Sequence, residues 1–126
     1  MPTLHTFIVE DSPLIREQLI TMLEDLTHVK VVGYADTERG ALLALSGTAS
    51  EAQLVVVDVI LREGTGLGLL RHAAAHATTS RKFVVLTNYA TQDIRDEALR
   101  LGADRVFDKS RQIDQLIDYC DELASR

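Results

Sequence analysis

At 126 residues the chain has the length of one domain and can bury a core without disulfide or metal staples. Its 46% apolar and 25% charged content is ordinary for a soluble globular fold, and its net charge of −6 argues against a built-in nucleic-acid surface or docking to anionic lipid. The single cysteine, Cys120, excludes an internal disulfide and fits a reducing cytoplasm, Met1-Pro2-Thr3-Leu4-His5 lacks the features of a signal peptide, and no apolar run approaches the ~18 residues of a membrane span.

Strand-like and helix-like segments alternate along the chain. Residues 5–10 read as a strand in which Phe7-Ile8-Val9 leads into Glu10-Asp11. Ser12-Pro13 marks a helix start, serine as N-cap and proline at the first helical position, and Ile15, Leu19, Met22, Leu23 and Leu26 follow at helical spacing. A strand over 29–34 precedes a helix capped by Asp36 or Thr37 and carrying Ala41, Leu42 and Leu45. Leu54-Val55-Val56-Val57-Asp58 is a third strand, and the loop 63–66 feeds a helix from about Leu67 to His76. Residues 83–87 form a fourth strand, and a helix over 93–101 stops at Gly102, where a C-terminal glycine belongs. Val106-Phe107 is a short fifth strand, and Ile113, Leu116, Ile117, Cys120, Leu123 and Ala124 stripe the last helix. Five βα units predict one α/β domain over 1–126: a single five-stranded, doubly wound parallel sheet with five helices and right-handed crossovers.

Asp58 is the costly residue. It ends an apolar, β-branched run that suits a strand buried on both faces, so its carboxylate needs a use. If the first and third strands are parallel neighbours, Glu10, Asp11 and Asp58 meet at the carboxyl edge where open α/β sheets bind ligands. Clustered acids resist joint ionisation unless a cation joins them.

Glu10-Asp11, Asp58, Thr87 in Val85-Leu86-Thr87, and Lys109 after Gly102-Ala103-Asp104 each lie at or just after the end of a predicted strand. In order and separation this set resembles the receiver domain of bacterial two-component response regulators, over the whole chain. The resemblance implies a flavodoxin-like (βα)5 fold and a phospho-accepting switch. Asp58 would be the nucleophile, Mg²⁺ the cofactor, and a histidine kinase or phosphotransfer protein the donor. Asp11 and Asp58 would ligate the ion directly, Glu10 through water, and the backbone carbonyl at Ile60 would complete the set. A carboxylate is a poor nucleophile toward an anionic phosphoryl group until a hard divalent cation relieves the repulsion. Lys109 would then contribute a point charge to the transferred oxygens and Thr87 a hydrogen bond. Drawing Thr87 inward would shift the surface of the fourth helix, fifth strand and last helix, a two-state change biased by local charge.

The chain departs from the receiver pattern at several positions. Asn88 stands where a small residue is usual after the switch threonine. Tyr89 and Ile60 add bulk near Asp58, which predicts slow autodephosphorylation. Val106 occupies the position of the aromatic that usually swings with the threonine, while Phe107 beside it points to the core. Ser110 follows the lysine in place of proline, so that bond is expected trans, and Arg62 replaces a common proline.

Taken singly, these residues have plainer readings: a capping Asp58, a solvated Asp11, a strand threonine, a surface lysine. Their joint register outweighs that account. His72 and His76 share a helix face but lack a third ligand, so an exposed polar face is expected. Gly64, Gly66 and Gly68 follow the third strand rather than the first and shape the loop after Asp58 instead of cradling a nucleotide. A metal-dependent phosphatase would want a second aspartate two residues past the nucleophile, where Ile60 stands, so the chain is expected not to be an enzyme beyond assisting its own phosphorylation and dephosphorylation. A degenerate receiver acting as a constitutive scaffold is the alternative. Output is expected to pass to a downstream effector protein, or through a homodimer, with no direct nucleic acid or membrane contact. Asp93, Arg95, Asp96, Arg100, Arg105, Arg111 and Gln115 would furnish that surface.

Overall fold

A computed structural model describes residues 2–74 and 81–125. The elements run β1 (Leu4–Val9), α1 (Pro13–Leu26), β2 (Val29–Ala35), α2 (Glu38–Leu45), β3 (Leu54–Val57), α3 (Gly66–Leu69), β4 (Lys82–Thr87), α4 (Gln92–Arg100), β5 (Arg105–Asp108) and α5 (Ile113–Ala124). All strand pairs are parallel, in the order β2-β1-β3-β4-β5. Chain order reverses between β1 and β3, which makes their carboxyl ends the crevice of the sheet.

Because successive strand residues point to opposite faces, two cores form. Phe7, Val9, Val55, Val57, Phe83, Val85 and Val106 pack with Ala41, Leu45, Leu69, Leu70 and Ala98 of the helices on one face. Ile8, Leu54, Val56, Val84, Leu86 and Phe107 pack with Leu19 and Leu23 of α1 and Leu116, Tyr119 and Cys120 of α5 on the other. A strand buried on both sides cannot alternate polar and apolar residues, which explains the valine run before Asp58.

The helix starts follow their caps. The Ser12 hydroxyl accepts the Ile15 N–H at 3.3 Å with Pro13 opening α1. Thr37 rather than Asp36 caps α2, accepting the Gly40 N–H at 3.0 Å, while Asp36 pairs with Arg62. Gly102 takes φ +113° past the end of α4, a left-handed conformation that glycine adopts cheaply.

Three points go beyond the sequence reading. Leu26, the last of the apolar positions spaced along α1, is 60% exposed, although Leu23 in the same turn is fully buried. In α5, Tyr119 is buried between the stripe positions, its ring 5.9 Å from that of Phe107. The helix after β3 starts at Gly66 and is α-helical only to Leu69, then widens into a π-helical stretch over Leu70–Ala74. His76, and with it the His72–His76 pair, lies outside the described residues.

Candidate functional site

Register brings the site together. Val9 pairs with Val57, so β1 and β3 end level, and the Asp58 N–H donates to the Val9 carbonyl at 3.0 Å. Glu10 and Asp58 therefore leave the sheet side by side. On the other flank Thr87 pairs with Asp108, and the Lys109 N–H donates to the Thr87 carbonyl at 3.0 Å. That contact aims the lysine side chain back across the sheet edge.

The ammonium of Lys109 reaches both acids, 2.6 Å from Asp58 Oδ2 and 2.5 Å from Glu10 Oε1. The side chains of Lys109, Asp58 and Glu10 are 12%, 12% and 3% exposed. Burial alone would lower the lysine pKa, but the hydrogen bonds and charges of Asp58 and Glu10 outweigh it and hold the ammonium above its usual range. The remaining carboxylate oxygens are held by the backbone: Asp58 Oδ1 accepts the Val59 N–H at 2.6 Å, and Glu10 Oε2 accepts the Ser12 N–H at 3.1 Å. Thr87 is fully buried, and its hydroxyl oxygen accepts the Tyr89 N–H at 3.2 Å.

Asp11 is half-buried at the mouth and stands outside this ion-pair cluster, near enough to Arg62 to support its charge. Ile60 and Tyr89 project from the loops after β3 and β4, 51% and 56% exposed. Among the described residues no three acidic, histidine or cysteine side chains are close enough to enclose an ion. Lys109, rather than a third carboxylate, joins Glu10 to Asp58. The donor chemistry still suits Mg²⁺: every side-chain donor is a hard oxygen, clustered at one edge.

Around the site the sequence reading missed several contacts. Arg95, counted among the surface charges, turns inward, donating to the Ala90 carbonyl at 3.1 Å, the Val106 carbonyl at 3.0 Å and Gln112 Oε1 at 2.7 Å. Arg16 donates to the Glu10 carbonyl at 3.1 Å and lies over the Tyr34 ring. Neither contact has a signal in spacing; both depend on which helix face meets the sheet edge. Of the other surface charges, Arg100 pairs with Glu97, and Arg105 pairs with Asp104 and covers the Tyr119 ring. The Lys109–Ser110 bond is trans, and Val106 and Phe107 are both buried on opposite faces.

Known proteins resemble the chain in sequence and in fold. The transcriptional regulatory protein CitB of Klebsiella pneumoniae is 33% identical over 108 residues, covering 86% of this chain but only 44% of CitB, so the chain spans less than half of that relative's length. The signal receiver domain of a DNA-binding response regulator from Colwellia psychrerythraea superposes with a TM-score of 0.85 at 21% identity, covering 97% of this chain and 98% of that one. The beryllofluoride-activated receiver domain of Klebsiella pneumoniae RstA gives 0.82 at 20% identity, covering 97% of each chain. The model of the response regulator receiver domain matches residues 6–121. That span takes in each strand-end position from Glu10 to Lys109, and the chain belongs to the response regulator receiver domain family.

Proposed function

We propose that this receiver takes a phosphoryl group onto Asp58 from a histidine kinase or phosphotransfer protein, with Mg²⁺, and passes the signal to an effector protein in the cytoplasm. The observation that carries the reading is the buried Glu10–Lys109–Asp58 cluster at the carboxyl edge of adjoining strands. Glu10, Asp11, Asp58 and the Ile60 carbonyl would hold the ion. When bound, Mg²⁺ neutralises charge between the carboxylate and the phosphoryl oxygens.

An Asp58 carboxylate oxygen attacks the phosphorus of a phosphohistidine; the P–N bond breaks, a P–O bond forms, and an acyl phosphate results. Lys109, already hydrogen-bonded to Asp58, is placed to follow the charge onto the transferred oxygens. The Thr87 hydroxyl oxygen is occupied by the Tyr89 N–H, but its own hydrogen is available to donate to the phosphoryl group. Moving Thr87 then draws on Tyr89 and the start of α4. The groove between α1 and α5, about 320 Å³ and lined by Ile15, Leu19, Met22, Leu86 and Ile113, ends on Lys109 and suits the apolar face of a donor helix. The chain is on this reading a switch that assists its own phosphorylation and dephosphorylation rather than an enzyme acting on other substrates. Its output face is α4, β5 and α5, for an effector or a second copy.

The test is beryllofluoride with Mg²⁺, followed by backbone amide shifts. The expected result is binding that needs Mg²⁺, shifts at residues 58–66, 87–95 and 105–112, and loss of both in Asp58→Asn. A chain that shows no Mg²⁺-dependent change, with Asp58→Asn indistinguishable from wild type, rejects the proposal.

A further inference from the structure

The segment from Asp58 to Gly66 carries the acceptor and the Ile60 carbonyl, and it is fastened from outside the sheet edge. Within it, Ile60 and Thr65 form an antiparallel bridge, and the Gly66 N–H donates to the Val59 carbonyl at 2.8 Å. Its outer side is tied to α2 and the residues before it. The Arg62 N–H donates to the Asp36 carbonyl at 3.3 Å, and the Glu38 N–H donates to the Glu63 carbonyl at 3.0 Å.

Two side chains add to these ties: Arg62 pairs with Asp36 at 3.2 Å, and Glu38 reaches the loop itself. Glu38 Oε1 accepts the Thr65 N–H at 3.0 Å. Its carboxylate fills a notch that exists only because two neighbours are glycine. A Cβ at Gly64 would lie 2.5 Å from Glu38 Cβ, and a Cβ at Gly68 would lie 2.2 Å from Glu38 Oε1. The second oxygen faces His72, whose Nδ1 is 3.7 Å away and also 2.8 Å from the Gly68 carbonyl. Thr65, held by Glu38, is the bridge partner of Ile60.

We propose that Glu38 is a positioning residue for the acceptor loop: seated between Gly64 and Gly68, it fixes Thr65 and through it the Ile60 carbonyl, which then faces a divalent cation beside Asp58 without further ordering. This rests on the receiver reading of the site given above. It assigns Gly68 a use that neither a turn nor a nucleotide loop supplies, while Gly64, at φ +73°, serves the turn as well as the notch. Groups behind a metal ligand commonly change affinity by about 10–100-fold when removed, because the ligand must then be ordered as the ion binds.

The test is Mg²⁺ titration followed by calorimetry and by the amide shifts of 58–66, with no phosphoryl donor present. Glu38→Ala is expected to weaken Mg²⁺ binding about tenfold, the lower end of that range. Glu38→Gln, whose amide oxygen still accepts the Thr65 N–H, should bind as wild type does. Gly68→Ala meets only the mobile end of Glu38, so it should fold, evict the carboxylate and weaken Mg²⁺ to a similar extent. In a Glu38→Ala background the notch is empty, and Gly68→Ala should then add nothing. Hydrogen exchange at the Thr65 amide, without metal, should rise in Glu38→Ala and stay low in Glu38→Gln. Unchanged Mg²⁺ affinity in Glu38→Ala, or additive losses from Glu38→Ala and Gly68→Ala, overturns the inference. A wild-type chain that takes up no Mg²⁺ overturns the receiver reading instead. In that case unchanged Thr65 exchange in Glu38→Ala still rejects the positioning role, and raised exchange retains it for the loop alone.

Discussion

Asp58 and Glu10 show how a residue's role depends on its neighbours. Each is a carboxylate drawn out of water, tolerable because one ammonium serves both. Removing one partner from a buried ionic cluster leaves uncompensated charge, at a cost of about 3–5 kcal/mol. Lys109→Met should therefore lose about 3 kcal/mol in urea unfolding without metal. Part of the loss should return when millimolar Mg²⁺ supplies the missing positive charge. If Mg²⁺ stabilises Lys109→Met no more than wild type, ion and lysine are not serving the same acids. Tyr89 and Ile60 lead to a second expectation. Both stand exposed on the loops that flank Asp58, where each can shade a phosphoryl group from attacking water. Tyr89→Ala and Ile60→Ala should each shorten the half-life of the acyl phosphate several-fold, measured by loss of radiolabel from the phosphorylated chain. An unchanged half-life in both would reject the shading. The candidate residues at this scale were legible in the sequence because strand-end acids and a lysine are chemically conspicuous. Lys109 as the bridge between Glu10 and Asp58 was not, since 99 residues separate it from Glu10 and only the sheet brings them together.

Among the elements, the junction of α4, β5 and α5 departs most from expectation. Position 106 on β5 carries valine, where the resemblance leads one to expect an aromatic. Arg95 instead ties the loop before α4 and β5 together through the Ala90 and Val106 carbonyls, and reaches the start of α5 through the Gln112 side chain. Gln112 Oε1 also accepts the Asp108 N–H at 2.9 Å, one residue before Lys109. A shift of the loop after Thr87 would reach α5 through this network. Residues sharing such a network couple by roughly 0.5–3 kcal/mol. A double-mutant cycle of Arg95→Ala and Gln112→Ala in urea should give about 1 kcal/mol of coupling. Arg95→Ala should also remove the beryllofluoride-induced shifts at the start of α5 while leaving those at 58–66. Additive effects and intact α5 shifts would exclude the network as the route. Helical spacing put Arg95 among surface charges because periodicity gives the face of a residue, not where a long side chain ends. The helix after β3 differs from the sequence reading in type, α-helical over Gly66–Leu69 and π-helical over Leu70–Ala74. Leu67 to Ala74 is apolar enough for an α-helix, but the tight glycine start at 66–68 and the wider turns beyond Leu70 reflect packing against Glu38 and the sheet.

For the whole molecule, the two cores are joined by one sheet, and groups on different layers contribute to a single pH response. Lys109 is held above the usual lysine range by the hydrogen bonds and charges of Asp58 and Glu10, despite burial. Tyr119 is held above 10.0, first by burial and then by donating to Asp104 Oδ2 at 2.6 Å. In both cases the folded chain keeps a proton that the unfolded chain gives up at lower pH. Their stabilisation is thus complete below about pH 10 and falls as pH rises through the folded values. Melting temperature should stay level from pH 8 to 9.5 and drop above pH 10, and Tyr119→Phe should flatten part of the drop. A wild-type melting temperature independent of pH up to 11 would contradict both assignments. Burial also pushes the Cys120 thiol up to about 12, so it remains protonated through most of this range.

The sequence by itself determined the fold class, the five βα units and the strand-end residues, because period and apolar content follow from which faces each element buries. Its boundaries fell within a residue or two for every strand, where valine runs and caps are local signals. The tertiary structure alone decided that Glu10 and Asp58 share one lysine, that Arg95 turns inward, and that Glu38 sits in a glycine notch against the acceptor loop. These are contacts between distant segments, set by register and by crossover packing, and no local pattern in the chain encodes where they meet.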